Sequence, residues 1–123
     1  MKSKTDDLRI INTQELVSPQ EIIDSISPSD KGFATIINAR NQIKNILNKS
    51  IKKFMIVVGP CSIHDVDAAK EYATKLKNLS TILSSNCLIV MRVYFEKPRT
   101  VIGWKGLIND PDLDGSFKIN KGI

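Results

Sequence analysis

The chain is poor in several features that would settle a class by themselves. It has one histidine, His64, which leaves a single imidazole as candidate acid or base. Its two cysteines, Cys61 and Cys87, are too few for a disulfide framework. No apolar run approaches 18 residues, and no basic segment leads into an apolar stretch, which excludes a membrane-spanning helix and a secretory leader. There is no internal repeat and no low-complexity tract. The expectation is a soluble protein of a reducing compartment, the cytoplasm.

Arginine is scarce too: 4 residues against 14 lysines. The net charge is +5 and the sequence pI about 9.3, a balance that can signal nucleic acid. The lysines are dispersed, however, and the only adjacent pair is Lys52-Lys53. That is a biased composition and not a built patch, so neither nucleic acid nor membrane is expected as a partner. A length of 123 residues suits one ordinary domain.

Against this background residues 91–100, Met-Arg-Val-Tyr-Phe-Glu-Lys-Pro-Arg-Thr, carry the strongest signal. An apolar strand runs into Arg92, Lys97 and Arg99, so two of the four arginines fall within eight residues. Arginine presents a planar fork that matches carboxylate and phosphate, which lysine cannot copy. A second segment of the same kind lies upstream. Phe54-Met55-Ile56-Val57-Val58 reads as a strand buried on both faces. It stops at the breaker pair Gly59-Pro60 and is followed by Cys61, Ser62, Ile63, His64 and Asp65. Two such strands, each ending in reactive or anion-binding side chains, describe the working end of an α/β sheet or barrel.

The elements between follow from local signals. Residues 1–14 are polar and form an extended arm. Ser18-Pro19-Gln20-Glu21 is a helix start, with a capping Ser, Pro at the first position and Glu three residues on. That helix ends near Ile26. A longer amphipathic helix is expected over about 30–48, a strand over 54–58, a helix from 66 to about 83 capped by Asp65, and a strand over 87–93. Strand, helix, strand of these lengths is one βαβ unit with parallel strands and a right-handed crossover. Residues 94–123 read as a long loop punctuated by Gly and Pro.

Val-Val-Gly-Pro-Cys-Ser-Ile-His-Asp (57–65), the segment 91–100 and Gly-Trp-Lys-Gly-Leu-Ile-Asn-Asp-Pro (103–111) resemble 3-deoxy-D-arabino-heptulosonate 7-phosphate synthases. The class is the microbial one with tyrosine-, phenylalanine- and tryptophan-sensitive isozymes. The resemblance extends to Asp-Asp-Leu-Arg-Ile (6–10) and Ala-Ala-Lys-Glu-Tyr-Ala-Thr (68–74), nearly the whole chain. It implies a (β/α)8 barrel, which takes about 250 residues. The expectation is therefore an N-terminal fragment. Residues 1–53 would be an arm and helical extension, and residues 54–123 the first βαβ part of an incomplete barrel with its active-site loop. Such a chain would have open sheet edges and marginal stability.

The resemblance also implies roles. Cys61 would be a ligand of a divalent metal (Mn, Fe, Co or Zn); without the resemblance it reads as a small inert core residue. Arg92 would hold phosphoenolpyruvate, and Lys97 would lie at both substrates as the catalytic cation. Arg99 and Thr100 would bind erythrose 4-phosphate. Asp6 and Asp7 would belong to an arm that reaches a neighbouring subunit near the allosteric site, or be two solvated acids. Glu96 could orient Lys97 or Arg99. His64 is expected in a structural or supporting role, Cys87 in core packing, and Trp104 in packing of the loop. The implied reaction condenses phosphoenolpyruvate, D-erythrose 4-phosphate and water, opening the shikimate route to aromatic amino acids. An aromatic amino acid would be the feedback inhibitor, and the full-length enzyme a homo-oligomer. The alternatives are a related keto-acid-phosphate enzyme, such as octulosonate 8-phosphate synthase, and a truncated remnant without activity.

Overall fold

The computed structural model describes residues 6, 8–10, 12–97 and 102–123. Its elements run α1 (Pro19–Ser25), α2 (Asp30–Leu47), β1 (Phe54–Val58), α3 (Val66–Ile82), β2 (Cys87–Met91) and α4 (Ile119–Gly122). Each early boundary has a local cause. Ser18 Oγ accepts from the Glu21 amide while the Glu21 carboxylate accepts from the Ser18 amide, a reciprocal capping box. Those bonds to Ser18 hold the Glu21 carboxyl below its usual range. Ser29 Oγ accepts from Gly32 N at 3.2 Å and opens α2. Asp65 Oδ1 accepts from Ala68 N at 2.9 Å and opens α3. That bond lowers the Asp65 carboxyl, as anions are favoured at a helix N-terminus.

β1 and β2 pair in parallel, with Phe54 opposite Cys87 and Val58 opposite Met91. The α3 crossover that joins them packs on β2, and α2 packs against both strands. Ile89 and Met91 line a cavity with Thr35 of α2 and Ala73 and Leu76 of α3. Side chains alternate along a strand, so Leu88, Val90 and Arg92 project from the other face.

β2 ends two residues before the expected Val93, and Pro60 is the reason. Arg92 N still donates to Val58 O at 2.8 Å. The next rung of a parallel ladder would need an N–H at residue 60, which proline lacks. The expectation that β1 is buried on both faces is not met. Phe54 is 76% exposed and Val57 59%. With two strands and helices on one side, the sheet keeps an open face and open edges. Among the described residues only Ile63, Gly106 and Asp110 are deeply buried.

The segment 94–123, read as a long punctuated loop, contains structure. Glu96 and Gly106 form an antiparallel bridge, flanked by Leu107 N donating to Phe95 O at 2.8 Å and Lys97 N donating to Lys105 O at 3.2 Å. Gly106 has φ +148°, and an added Cβ would lie 2.7 Å from Phe95 O. α4 is one turn long and has no side-chain cap, so no sequence period could show it. Its Asn120 amide grips the arm, accepting from Val17 N at 3.1 Å and donating to Glu15 O at 3.0 Å.

Candidate active site

The carboxyl ends of β1 and β2 bring together three of the residues singled out from sequence: Cys61, Arg92 and Lys97. Lys97 Nζ donates to Cys61 Sγ at 2.9 Å. The Cys61 side chain is exposed. Its thiol is held below its ordinary range, first by the hydrogen bond from Lys97, then by the Lys97 charge, with the Arg92 guanidinium adding to both effects. An exposed thiol held below its ordinary range beside two cations has the chemistry expected of a nucleophile or a metal donor.

Arg92 is fixed from several sides. Its Nη1 donates to Pro60 O at 2.9 Å and to Cys61 O at 3.1 Å. Its Cζ lies 4.4 Å from the centroid of the Tyr94 ring. Its backbone is pressed against Gly59, where an added Cβ would meet Arg92 O at 2.2 Å. Gly59 is therefore required by close approach of the two strand ends, a role that the reading of Gly59-Pro60 as a mere breaker misses. Gly59→Ala is expected to destabilise the complete protein by about 1–3 kcal/mol through overpacking, because the opposing atom is backbone and cannot rotate away. Chemical denaturation would check it; an unchanged midpoint would mean that the strand ends part at no cost.

Glu96 does not orient Lys97. Its Oε1 accepts from Asn109 Nδ2, and its buried Oε2 has no hydrogen-bond partner among the described residues. Geometry explains the difference: the bridge to Gly106 turns Glu96 toward the 104–110 segment while Lys97 turns back to Cys61. Trp104 packs within its loop, Nε1 donating to Asp110 O at 2.7 Å. Asp110 in turn accepts from Gly115 N on both carboxylate oxygens. His64 is exposed and lines a cavity with Asp65, Pro111 and Lys121, apart from the Cys61 cluster. Cys87 is half-buried at the first position of β2. Asp6 is exposed on the arm. Asp7, Arg99 and Thr100 lie outside the described residues.

Sequence reasoning also passed over Tyr94. The signal was present, since residues 92 and 94 share a face of an extended segment.

Residues 31–123 match the profile of the DAHP synthetase I family. The chain belongs to this family. It is 50% identical over 122 residues to the Trp-sensitive phospho-2-dehydro-3-deoxyheptonate aldolase of Escherichia coli O157:H7, covering 98% of this chain and 35% of that protein. It is 49% identical over 123 residues to the Phe-sensitive aldolase of the same organism, again 35% of that protein. A solved structure of phospho-2-dehydro-3-deoxyheptonate aldolase from Francisella tularensis superposes with a TM-score of 0.86 at 50% identity, over 92% of this chain and 33% of that one. The chain thus spans about a third of the length of the synthetase-family relatives it matches. The two parallel strands and their crossover helix correspond to a part of that solved α/β structure.

Among the described residues no group of three or more His, Cys, Asp or Glu side chains could hold a metal ion. Cys61 supplies one donor of suitable chemistry, an exposed thiol with a lowered pKa. No helix among the described residues is long and apolar enough to cross a membrane.

Proposed function

We propose that the complete protein condenses phosphoenolpyruvate with D-erythrose 4-phosphate and water, releasing phosphate and forming 3-deoxy-D-arabino-heptulosonate 7-phosphate. The observation that carries this reading is the cluster of Cys61, Arg92 and Lys97 at the ends of two parallel strands, in a chain of the DAHP synthetase I family. The names of its relatives favour this reaction over octulosonate 8-phosphate synthesis. On this reading residues 54–123 are the opening βαβ part of a (β/α)8 barrel, and residues 1–53 are its arm and helical extension.

The roles follow from charge and position. Both substrates are polyanions, and their approach costs repulsion that Arg92, Lys97 and Arg99 offset while fixing geometry. Arg92, held at a strand end, takes the phosphoenolpyruvate carboxylate. Lys97 lies between the two substrates beside Cys61, and Arg99 with Thr100 takes the erythrose phosphate. Cys61 is one ligand of a divalent metal (Mn, Fe, Co or Zn), whose remaining donors lie beyond this set of residues. When bound, that metal supplies Lewis acidity at the aldehyde oxygen. The names of the Trp- and Phe-sensitive relatives support an aromatic amino acid as feedback inhibitor. A homo-oligomer in the cytoplasm, with Asp6 and Asp7 near a subunit contact, completes the reading.

The test is an assay of phosphoenolpyruvate loss with erythrose 4-phosphate and Mn²⁺. The complete protein should turn over only with metal, and the 123-residue chain alone should not. No turnover by the complete protein would overturn the reaction assigned here. Turnover by the short chain would overturn its description as a partial barrel.

A further inference from the structure

Tyr94 is not among the substrate-binding residues named above, yet its ring lies against one of them, Arg92. Three observations place it. Its ring centroid is 4.4 Å from Arg92 Cζ, well inside the range for attraction between a cation and an aromatic face. Its backbone is anchored on the opposite strand end, because Ile63 N donates to Tyr94 O at 2.7 Å. Ile63 is itself only 7% exposed, one of the few buried residues described. The ring thus belongs to a fixed part of the molecule, although 36% of the Tyr94 surface remains exposed.

Arg92 needs such a support. Its Nη1 carries two hydrogens, and the carbonyls of Pro60 and Cys61 use that nitrogen as donor. Those two bonds, both made from one nitrogen, hold one end of the guanidinium and set no contact on its face. Nε and Nη2 carry the three remaining N–H groups, and they form the edge able to grip a planar carboxylate in two places. The Tyr94 ring supplies the contact on the face, its centroid 4.4 Å from the guanidinium carbon. It offers no hydrogen-bond acceptor of its own there, so it restrains Arg92 through the cation–aromatic attraction alone.

We infer that Tyr94 is a positioning residue for phosphoenolpyruvate: it holds the Arg92 guanidinium plane in the orientation that binds the carboxylate. This rests on the synthase reading and adds to it a residue that acts on one substrate only. It touches neither substrate in this account, so its loss should appear in binding of phosphoenolpyruvate and not in the chemical step.

The test compares Tyr94→Phe, Tyr94→Leu and Tyr94→Met in the complete protein. Each variant is measured by steady-state kinetics with either substrate varied and by calorimetric titration with phosphoenolpyruvate. Phe keeps the aromatic face and should stay within about twofold of the unsubstituted protein. Leu and Met keep bulk without the face and should weaken phosphoenolpyruvate about 2- to 30-fold in both KM and Kd, the range set by cation–aromatic contacts. Their kcat and their KM for erythrose 4-phosphate should stay within about twofold. Met, unbranched and adaptable, serves if the Leu variant does not fold. Equal losses for both substrates, a fall in kcat alone, or a Phe variant as impaired as Leu would overturn the inference. If the unsubstituted protein does not bind phosphoenolpyruvate, the synthase reading falls and the Tyr94 role falls with it. If it binds normally and the Leu and Met variants bind equally well, only the Tyr94 role is lost.

Discussion

Replacing Cys61 by alanine in the complete protein is expected to remove bound metal and activity together while leaving the fold in place. The side chain is exposed, so its loss opens no cavity and removes no packing. Its sulfur accepts from Lys97 Nζ and also lies within the influence of Arg92. What the substitution deletes is a sulfur donor whose thiol pKa is lowered by Lys97 and Arg92. Loss of partners that merely orient a ligand weakens metal binding about 10- to 100-fold, so loss of a direct ligand should exceed that range. Cys87→Ala is the matched control. That residue opens β2, half-buried, at the amino end of the strand and remote along it from the cluster. It should alter neither metal content nor rate. Elemental analysis of purified protein, alongside the turnover assay, reads both quantities. Near-normal metal content in Cys61→Ala would remove this residue from the ligand set, whatever its effect on rate.

The contrast between these two cysteines shows where sequence reasoning reaches and where it stops. Helix starts were legible because their causes are local. Ser18, Ser29 and Asp65 each bond an amide three residues on. The strand positions and their parallel pairing were legible as well, since a strand–helix–strand segment of this length permits little else. The burial of β1 was not. An apolar run states what a strand would be stable against, and whether anything covers it is a non-local fact. In this chain much of that surface is open.

The site divides in the same way. Cys61 and Arg92 could be proposed from motif and strand end, but the bond from Lys97 to Cys61 spans 36 residues and depends on how the chain turns after Tyr94. Glu96 meets Asn109 and not Lys97, because neighbours in sequence point to opposite sides of an extended segment; Arg99, the other partner considered, lies outside the described residues. The grip of Asn120 on residues 15–17 joins positions more than a hundred residues apart and left no trace in any local pattern.

Exchanging each arginine for lysine should separate the two substrates. Arg92 is anchored by two carbonyls and an aromatic ring, so its fork is held rigidly at the strand end, where the phosphoenolpyruvate carboxylate is proposed to sit. Arg99 follows Pro98 in the sequence, on the segment assigned to erythrose 4-phosphate. Lysine keeps the charge at both places but offers a point where arginine offers a planar pair of donors. Removing a charge-assisted pair to a bound anion costs about 2–5 kcal/mol. At about 1.4 kcal/mol per decade, that is very roughly 30- to several thousand-fold in kcat/KM. Arg92→Lys should therefore raise the KM for phosphoenolpyruvate more than that for erythrose 4-phosphate, and Arg99→Lys should do the reverse. The Arg92 effect should also exceed that of Tyr94→Leu, since the lysine loses both the fork and its fit to the ring, while the Tyr94 variant loses only the support. Steady-state kinetics on the complete protein, with each substrate varied in turn, decides the matter. If both lysine variants weaken the same substrate, the two arginines share one anion and the division of labour between strand end and loop is wrong.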